Sequence, residues 1–114
     1  MDFACKKFNL DEIVRCSLTL TKAEFKILEF LMKNSTKKFS SLELANKLNL
    51  ELSTIQRSMK KMNEKNIVAR SQVNLQKAGY TFVYCVCNKI EIKNIIKSTI
   101  TTWTNRFNQE IENW

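Results

Sequence analysis

The chain has 114 residues, 44% of them hydrophobic, so it suits one domain of ordinary size with a buried core rather than a disordered tail. Nineteen Lys and Arg against eleven Asp and Glu leave a net charge of +8, an excess that favours a polyanionic partner, nucleic acid first and an acidic membrane surface second. The absence of His excludes Ser-His and Cys-His nucleophile pairs and imidazole metal sites, and a single glycine, Gly79, excludes Gly-rich phosphate loops.

In chain order, the first predicted element is a short helix from Asn9 to Leu18, with Leu10, Ile13 and Val14 at helical spacing and Asp11 and Glu12 suited to its N-terminal end. Thr21 and Glu24 form the ends of a capping box that opens a second helix. Phe25, Leu28 and Met32 carry its apolar face, with Leu31 beside them, and it should stop near Asn34 and Ser35. A polar loop, residues 35–38, leads to a second capping box, Ser40 with Glu43, whose helix turns Leu42, Ala45 and Leu48 to one side. After a turn through Asn49, Leu50 and Glu51, Ser53 and Gln56 read as a third box. Ile55, Met59 and Met62 then line one side of a helix that runs to Asn66, a residue suited to a left-handed C-terminus. Two helices joined by a turn of roughly four residues make a helix-turn-helix pattern.

Beyond Asn66 the apolar period changes from 3.6 to 2. Ile67–Val73 reads as a strand, Asn74–Gly79 as a turn, and Tyr80–Cys87 as a second strand rich in aromatic and β-branched residues. A hairpin in that place is a wing. The last stretch, Ile90–Trp114, reads as a long helix. Its apolar positions Ile96, Ile100, Trp103, Phe107, Ile111 and Trp114 recur at 3.6 residues per step, one straight stripe. The fold class expected is therefore mainly α with a small β-hairpin wing (α+β), a winged helix-turn-helix with a long C-terminal helix. Its expected parts are residues 1–19, an N-terminal helix contributing a dimer contact; 20–88, the winged helix-turn-helix; and 89–114, a C-terminal dimerisation helix, all in one compact domain.

Charge is uneven along this plan. Residues 51–88 carry six basic and two acidic side chains, against nine and six in residues 1–50 and four and three in the final 26. The basic density thus peaks over the second helix of the pair and the hairpin. No apolar run is long enough to span a bilayer and no signal-peptide core is present, so a soluble, cytoplasmic protein without a membrane partner is expected. Cys5, Cys16, Cys85 and Cys87 read first as small apolar packing residues of a reducing interior. A four-thiolate metal or redox site is the sharper reading, weakened by the lack of CxxC spacing.

These elements resemble the winged-helix regulators of the MarR and TrmB-like superfamily of archaea and bacteria, over about Leu20–Lys97. The segment from Leu20 to Leu28, the helix pair from Ser41 to Leu48 and Ser53 to Met62, and the junction from Lys65 to Arg70 carry the resemblance, with Asn66 where glycine is usual. The resemblance implies a homodimeric transcriptional regulator on a pseudo-palindromic duplex DNA site, with no cofactor and no catalytic residue. If Ile55, Met59 and Met62 face the core, Thr54, Gln56, Arg57, Lys60 and Lys61 lie on or beside the outer face of the recognition helix. Arg57 suits the two guanine acceptors of the major groove and Gln56 those of adenine. Ser53, through its amide, and Thr54 suit a phosphate, while Lys60 and Lys61 supply sequence-independent attraction. In the wing, Arg70 and Lys77 are candidates for phosphate or the minor groove, followed by Gln72 and Gln76. The Ile96–Trp114 stripe is the expected dimer interface. Two other functions fit the same plan: a winged helix used as a protein-interaction module, and a cysteine-based redox or metal-responsive regulator. An enzyme is not expected, since no carboxylate is paired with a nucleophile or a cofactor loop.

Overall fold

The structure is a computed structural model, and it describes residues 9–76, 79–86 and 88–114 together with the backbone of 2–3 and 6–7. In chain order the elements are β1 (Asp2–Phe3), β2 (Lys6–Lys7), α1 (Leu10–Leu18), α2 (Lys22–Lys33), β3 (Phe39–Ser40), α3 (Ser41–Leu48), α4 (Leu52–Glu64), β4 (Val68–Leu75), β5 (Gly79–Val86) and α5 (Lys89–Glu112). They fall into two compact units, Thr21–Lys89 and a second made of Met1–Leu20 with Ile90–Trp114.

The first unit begins where its sequence signals place it. Thr21 Oγ1 accepts from the Glu24 amide at 3.1 Å and the Glu24 carboxylate accepts from the Thr21 amide at 3.1 Å, so two orphan donors of α2 are satisfied. Ser40 and Glu43 repeat the arrangement at the start of α3, with both distances 3.2 Å. The helices are amphipathic, and their inner faces meet: Ile27, Leu28 and Leu31 of α2, Leu44 and Leu48 of α3, and Ile55, Met59 and Met62 of α4 are all buried. α4 packs against α2, α3 and β4. Ile67 and Val68 carry the core into the sheet, where Val68 opposes Val86.

The sheet is antiparallel with order β3-β5-β4. Between β4 and β5 the register runs from Val68 opposite Val86 to Leu75 opposite Gly79. The hairpin is therefore longer than its local pattern suggests: Asn74 and Leu75, expected in the turn, are paired with Tyr80 and Gly79. Cross-strand hydrogen bonds and side-chain pairs extend a strand past the point where alternation fades. Gly79 opens β5 with φ +85, a conformation that L side chains rarely adopt. The two-residue strand β3 lies between the expected polar loop and helix, where only the cap at Ser40 was expected. It exists because Phe39 and Ser40 pair with Tyr84 and Val83, a contact made across more than forty residues of sequence, and the Phe39 ring packs 5.0 Å from that of Phe30.

The start of α4 corrects the sequence reading. The helix begins at Leu52, its N-cap is Glu51, and no side chain caps it, so Ser53 is already inside the first turn and makes no capping box. The reason lies upstream. Asn49 is left-handed (φ 54, ψ 47) and ends α3 with its amide on the Ala45 carbonyl, while the Leu50 amide reaches the same carbonyl at 3.1 Å. This tight C-terminal closure uses up the turn in three residues and leaves Glu51 as the extended one.

In the second unit, β1 and β2 form a small antiparallel pair, Asp2 opposite Lys7. α1 is capped by the Asn9 side chain, which accepts from the Asp11 amide at 2.9 Å, and ends at Thr19 in the left-handed region. α5 has 24 residues, a rod of about 36 Å at the usual rise. Ile92 is buried, Ile96 and Ile100 are half-buried, and every residue from 101 onward is exposed.

Candidate nucleic-acid interface

The burial of α4 decides which of its side chains can reach a ligand. Ile55, Ser58, Met59 and Met62 are buried, so Ser53, Gln56, Arg57 and Lys60 form the opposite, exposed stripe at i, i+3, i+4 and i+7, with Lys61 exposed beside it. Thr54 lies on the flank and is half-buried. The Arg57 Nε bonds the Ser53 carbonyl at 3.4 Å. That bond is long, hence weak and easily exchanged for a ligand acceptor. The missing side-chain cap at Glu51 matters here too, since the first-turn amides of α4 then carry the positive end of the helix dipole without a side-chain acceptor.

The wing lies in the same unit. Its register puts Arg70, Gln72 and Asn74 on one face with Tyr84, Phe82 and Tyr80. At its root this face is core, with Val68, Val86 and Tyr84 buried. Farther out it becomes exposed, at Arg70, Gln72 and Tyr80. The Arg70 guanidinium sits 4.4 Å from the centre of the Phe82 ring, and Tyr80 meets the edge of Phe82 at 5.4 Å. The wing's cation is thus held on an aromatic platform, a cation–π contact that orients the guanidinium. Lys77 lies outside the described residues.

Of the residues expected on the DNA-facing surface, the structure brings Ser53, Gln56, Arg57, Lys60 and Lys61 onto one side of α4, leaves Thr54 on its flank, and sets Arg70 and Gln72 on one face of the wing. Sequence reasoning did not find Tyr80 and Phe82 as partners of Arg70, because their pairing depends on a register that alternation alone does not determine. Nor did it find Lys26, whose Nζ donates to the Leu48 carbonyl of α3 at 2.9 Å; no local signal announces that bond.

The other predicted groups are dispersed. Cys16 is an exposed free thiol and Cys85 a half-buried one, and Cys5 and Cys87 lie outside the described residues. Among the described residues no three His, Cys, Asp or Glu side chains gather to hold a metal ion, and no helix is long and apolar enough to cross a membrane. On α5 Trp103, Phe107 and Ile111 are exposed, Phe107 to 63%, and just past its end Trp114 is exposed to 99%.

A three-helix core, a helix-turn-helix with a basic outer face, and a hairpin wing make up a winged helix, the fold of DNA-binding transcription regulators. The chain belongs to the HTH domain family, whose pattern matches residues 24–81. It is similar over its whole length to a possible transcriptional regulator from Methanosarcina mazei Go1, 38% identical, with a TM-score of 0.89 over 95% of that chain. Its fold is also that of MepR of S. aureus in a DNA complex, at 10% identity and a TM-score of 0.59, the match covering 90% of this chain and 83% of that one. An uncharacterized protein of Methanocaldococcus jannaschii is 29% identical, the match covering 95% of this chain and 80% of that protein.

Proposed function

We propose that the protein is a homodimeric transcriptional regulator of the cytoplasm that recognises a two-fold symmetric duplex DNA site. The observation that carries the reading is the exposed stripe of Ser53, Gln56, Arg57 and Lys60 on α4, backed by a fully buried apolar face. A helix braced on one side and presenting Arg, Gln, Lys and Ser on the other fits the major groove, whose base edges offer paired acceptors to Arg and a donor–acceptor pair to Gln. Arg57 reads guanine and Gln56 adenine. The amides near Ser53 and Thr54 receive a phosphate, and Lys60 and Lys61 add attraction that does not depend on sequence. Arg70, with Gln72 and Lys77, places the wing on the flanking backbone or minor groove.

The parts divide the work: residues 20–88 bind DNA, while the N-terminal helix within 1–19 and the helix within 89–114 join two copies. The exposed apolar side chains of α5, including two tryptophans, support that division, since apolar area of this kind favours burial against a partner. The stripe Ile96, Ile100, Trp103, Phe107, Ile111 and Trp114 forms the seam.

The test is selection of bound sequences from a random duplex pool at near-physiological salt. Enrichment of a symmetric site, with half-sites about 10 base pairs apart, is expected. Recovery of DNA with no enriched motif means an architectural binder held by phosphate contacts, and rejects the sequence-specific reading.

A further inference from the structure

We infer that Lys26 is a positioning residue for DNA recognition: its ammonium group ties α2 to the end of α3 and so holds the turn that aims α4. The inference rests on the function proposed above. The bond from Lys26 Nζ to the Leu48 carbonyl, 2.9 Å, joins residues 22 apart in sequence. Leu48 is the last residue of α3, where the helix dipole is negative and carbonyls lack helical partners, so a cation there is electrostatically favoured.

The place of this bond gives it a consequence beyond stability. Only Asn49, Leu50 and Glu51 separate Leu48 from α4. The Asn49 and Leu50 amides both turn back to the Ala45 carbonyl, which secures the turn to α3 from within. Lys26 secures it from α2, from outside the helix pair. Where the turn enters α4, no side chain caps the helix to stiffen its entry. Ser53, Gln56 and Arg57 all lie in the first two turns after this junction, so a small rotation of α4 about it displaces the guanidinium of Arg57. Bidentate pairing with a base tolerates only about half an ångström and 10–20° of error.

A solvated lysine, or one that touches phosphate directly, predicts different behaviour, and three variants separate the cases. In Lys26→Met the apolar stem stays and the cation goes, while Lys26→Arg keeps a cation of similar reach. Amide hydrogen exchange on the DNA-free full chain is read first: Lys26→Met should speed exchange at residues 49–55, Lys26→Arg should restore it, and Lys38→Met, in the exposed loop before β3, should leave it unchanged. Fluorescence anisotropy then compares a duplex carrying the selected site with one of scrambled sequence over a salt series. The specific-to-scrambled affinity ratio should fall by about twofold to fivefold in Lys26→Met, the range that an exposed cation at a helix C-terminus commands. The scrambled affinity and the salt slope should stay as they were. A salt slope reduced by about 0.9 with an unchanged ratio makes Lys26 a phosphate contact and overturns the inference. Unchanged exchange at residues 49–55 overturns it as well. If the unsubstituted chain prefers no duplex, the functional reading falls and the inference falls with it. If that chain does prefer one and Lys26→Met keeps the ratio, the inference alone falls.

Discussion

At the scale of single residues, the α4 surface separates two kinds of side chain. Arg57 and Gln56 offer directional donors, whereas Lys60 and Lys61 offer charge. Arg57→Ala should therefore abolish sequence preference at the base pair it reads in each half-site, a loss of about 1–3 kcal/mol in discrimination, measured by repeating the selection with the variant. Lys77→Ala should only weaken binding to all duplexes, with a salt slope smaller by about 0.9. Equal site preference in Arg57→Ala and the parent would contradict the groove assignment. Behind this surface Met59 has no exposure, and Met59→Ala should cost about 2–5 kcal/mol in chemical denaturation, since truncating a fully buried side chain of a helix packed on α2 and α3 leaves a cavity. Arg70 stands between the two groups. Its ring contact with Phe82 gives Arg70→Ala a stability loss of about 0.5–1 kcal/mol in addition to any loss of DNA affinity, because exposed cation–π pairs contribute on that order.

At the scale of elements, helix entry was largely legible in the sequence. Thr21 and Ser40 each accept from an amide of the first turn as their patterns predict, and Asn9 does the same at the start of α1. The pattern of Ser53 with Gln56 was equally good by eye and does not cap. A capping motif is a local competition for one amide, and the αL closure at Asn49 decided it before Ser53 was reached. The two serines therefore make a paired test. Ser40→Ala should lower stability by about 1 kcal/mol in thermal or urea unfolding, whereas Ser53→Ala should leave it within about 0.5 kcal/mol. A loss of similar size in both would restore the third capping box. The hairpin shows the complementary limit. Alternation placed both strands but missed their outer pairs, Asn74 with Tyr80 and Leu75 with Gly79, because those residues are held by each other and not by any local preference.

At the scale of the whole molecule, the issue is what covers α5. Four Thr hydroxyls, from Thr99, Thr101, Thr102 and Thr104, bond back to carbonyls one turn earlier. Such bonds and β-branched side chains give weak intrinsic helix stability. With every residue from 101 onward exposed, this half of the helix has little of its own chain to rest on. Pairing with a second copy, as proposed above, would supply the missing burial. Trp103→Glu with Phe107→Glu should convert a dimer to a monomer in sedimentation at micromolar concentration, and should lower affinity for a two-half-site duplex far more than for a single half-site. A parent chain that sediments as a monomer there would refute the dimer.

What the sequence determined by itself is what depends on neighbours within a few residues: the caps at Thr21 and Ser40, the change of period after Asn66, and the buried face of α4 that leaves Arg57 and Lys60 outward. These follow from backbone geometry and side-chain spacing, which act over one or two turns. Only the tertiary structure decided the rest: that Phe39 and Ser40 become a strand, that Arg70 rests on Phe82, and that Lys26 reaches Leu48. Each of these depends on groups that meet only after the chain has closed long loops, and hydrogen bonding or packing at such distances leaves no periodic trace in the residues that take part.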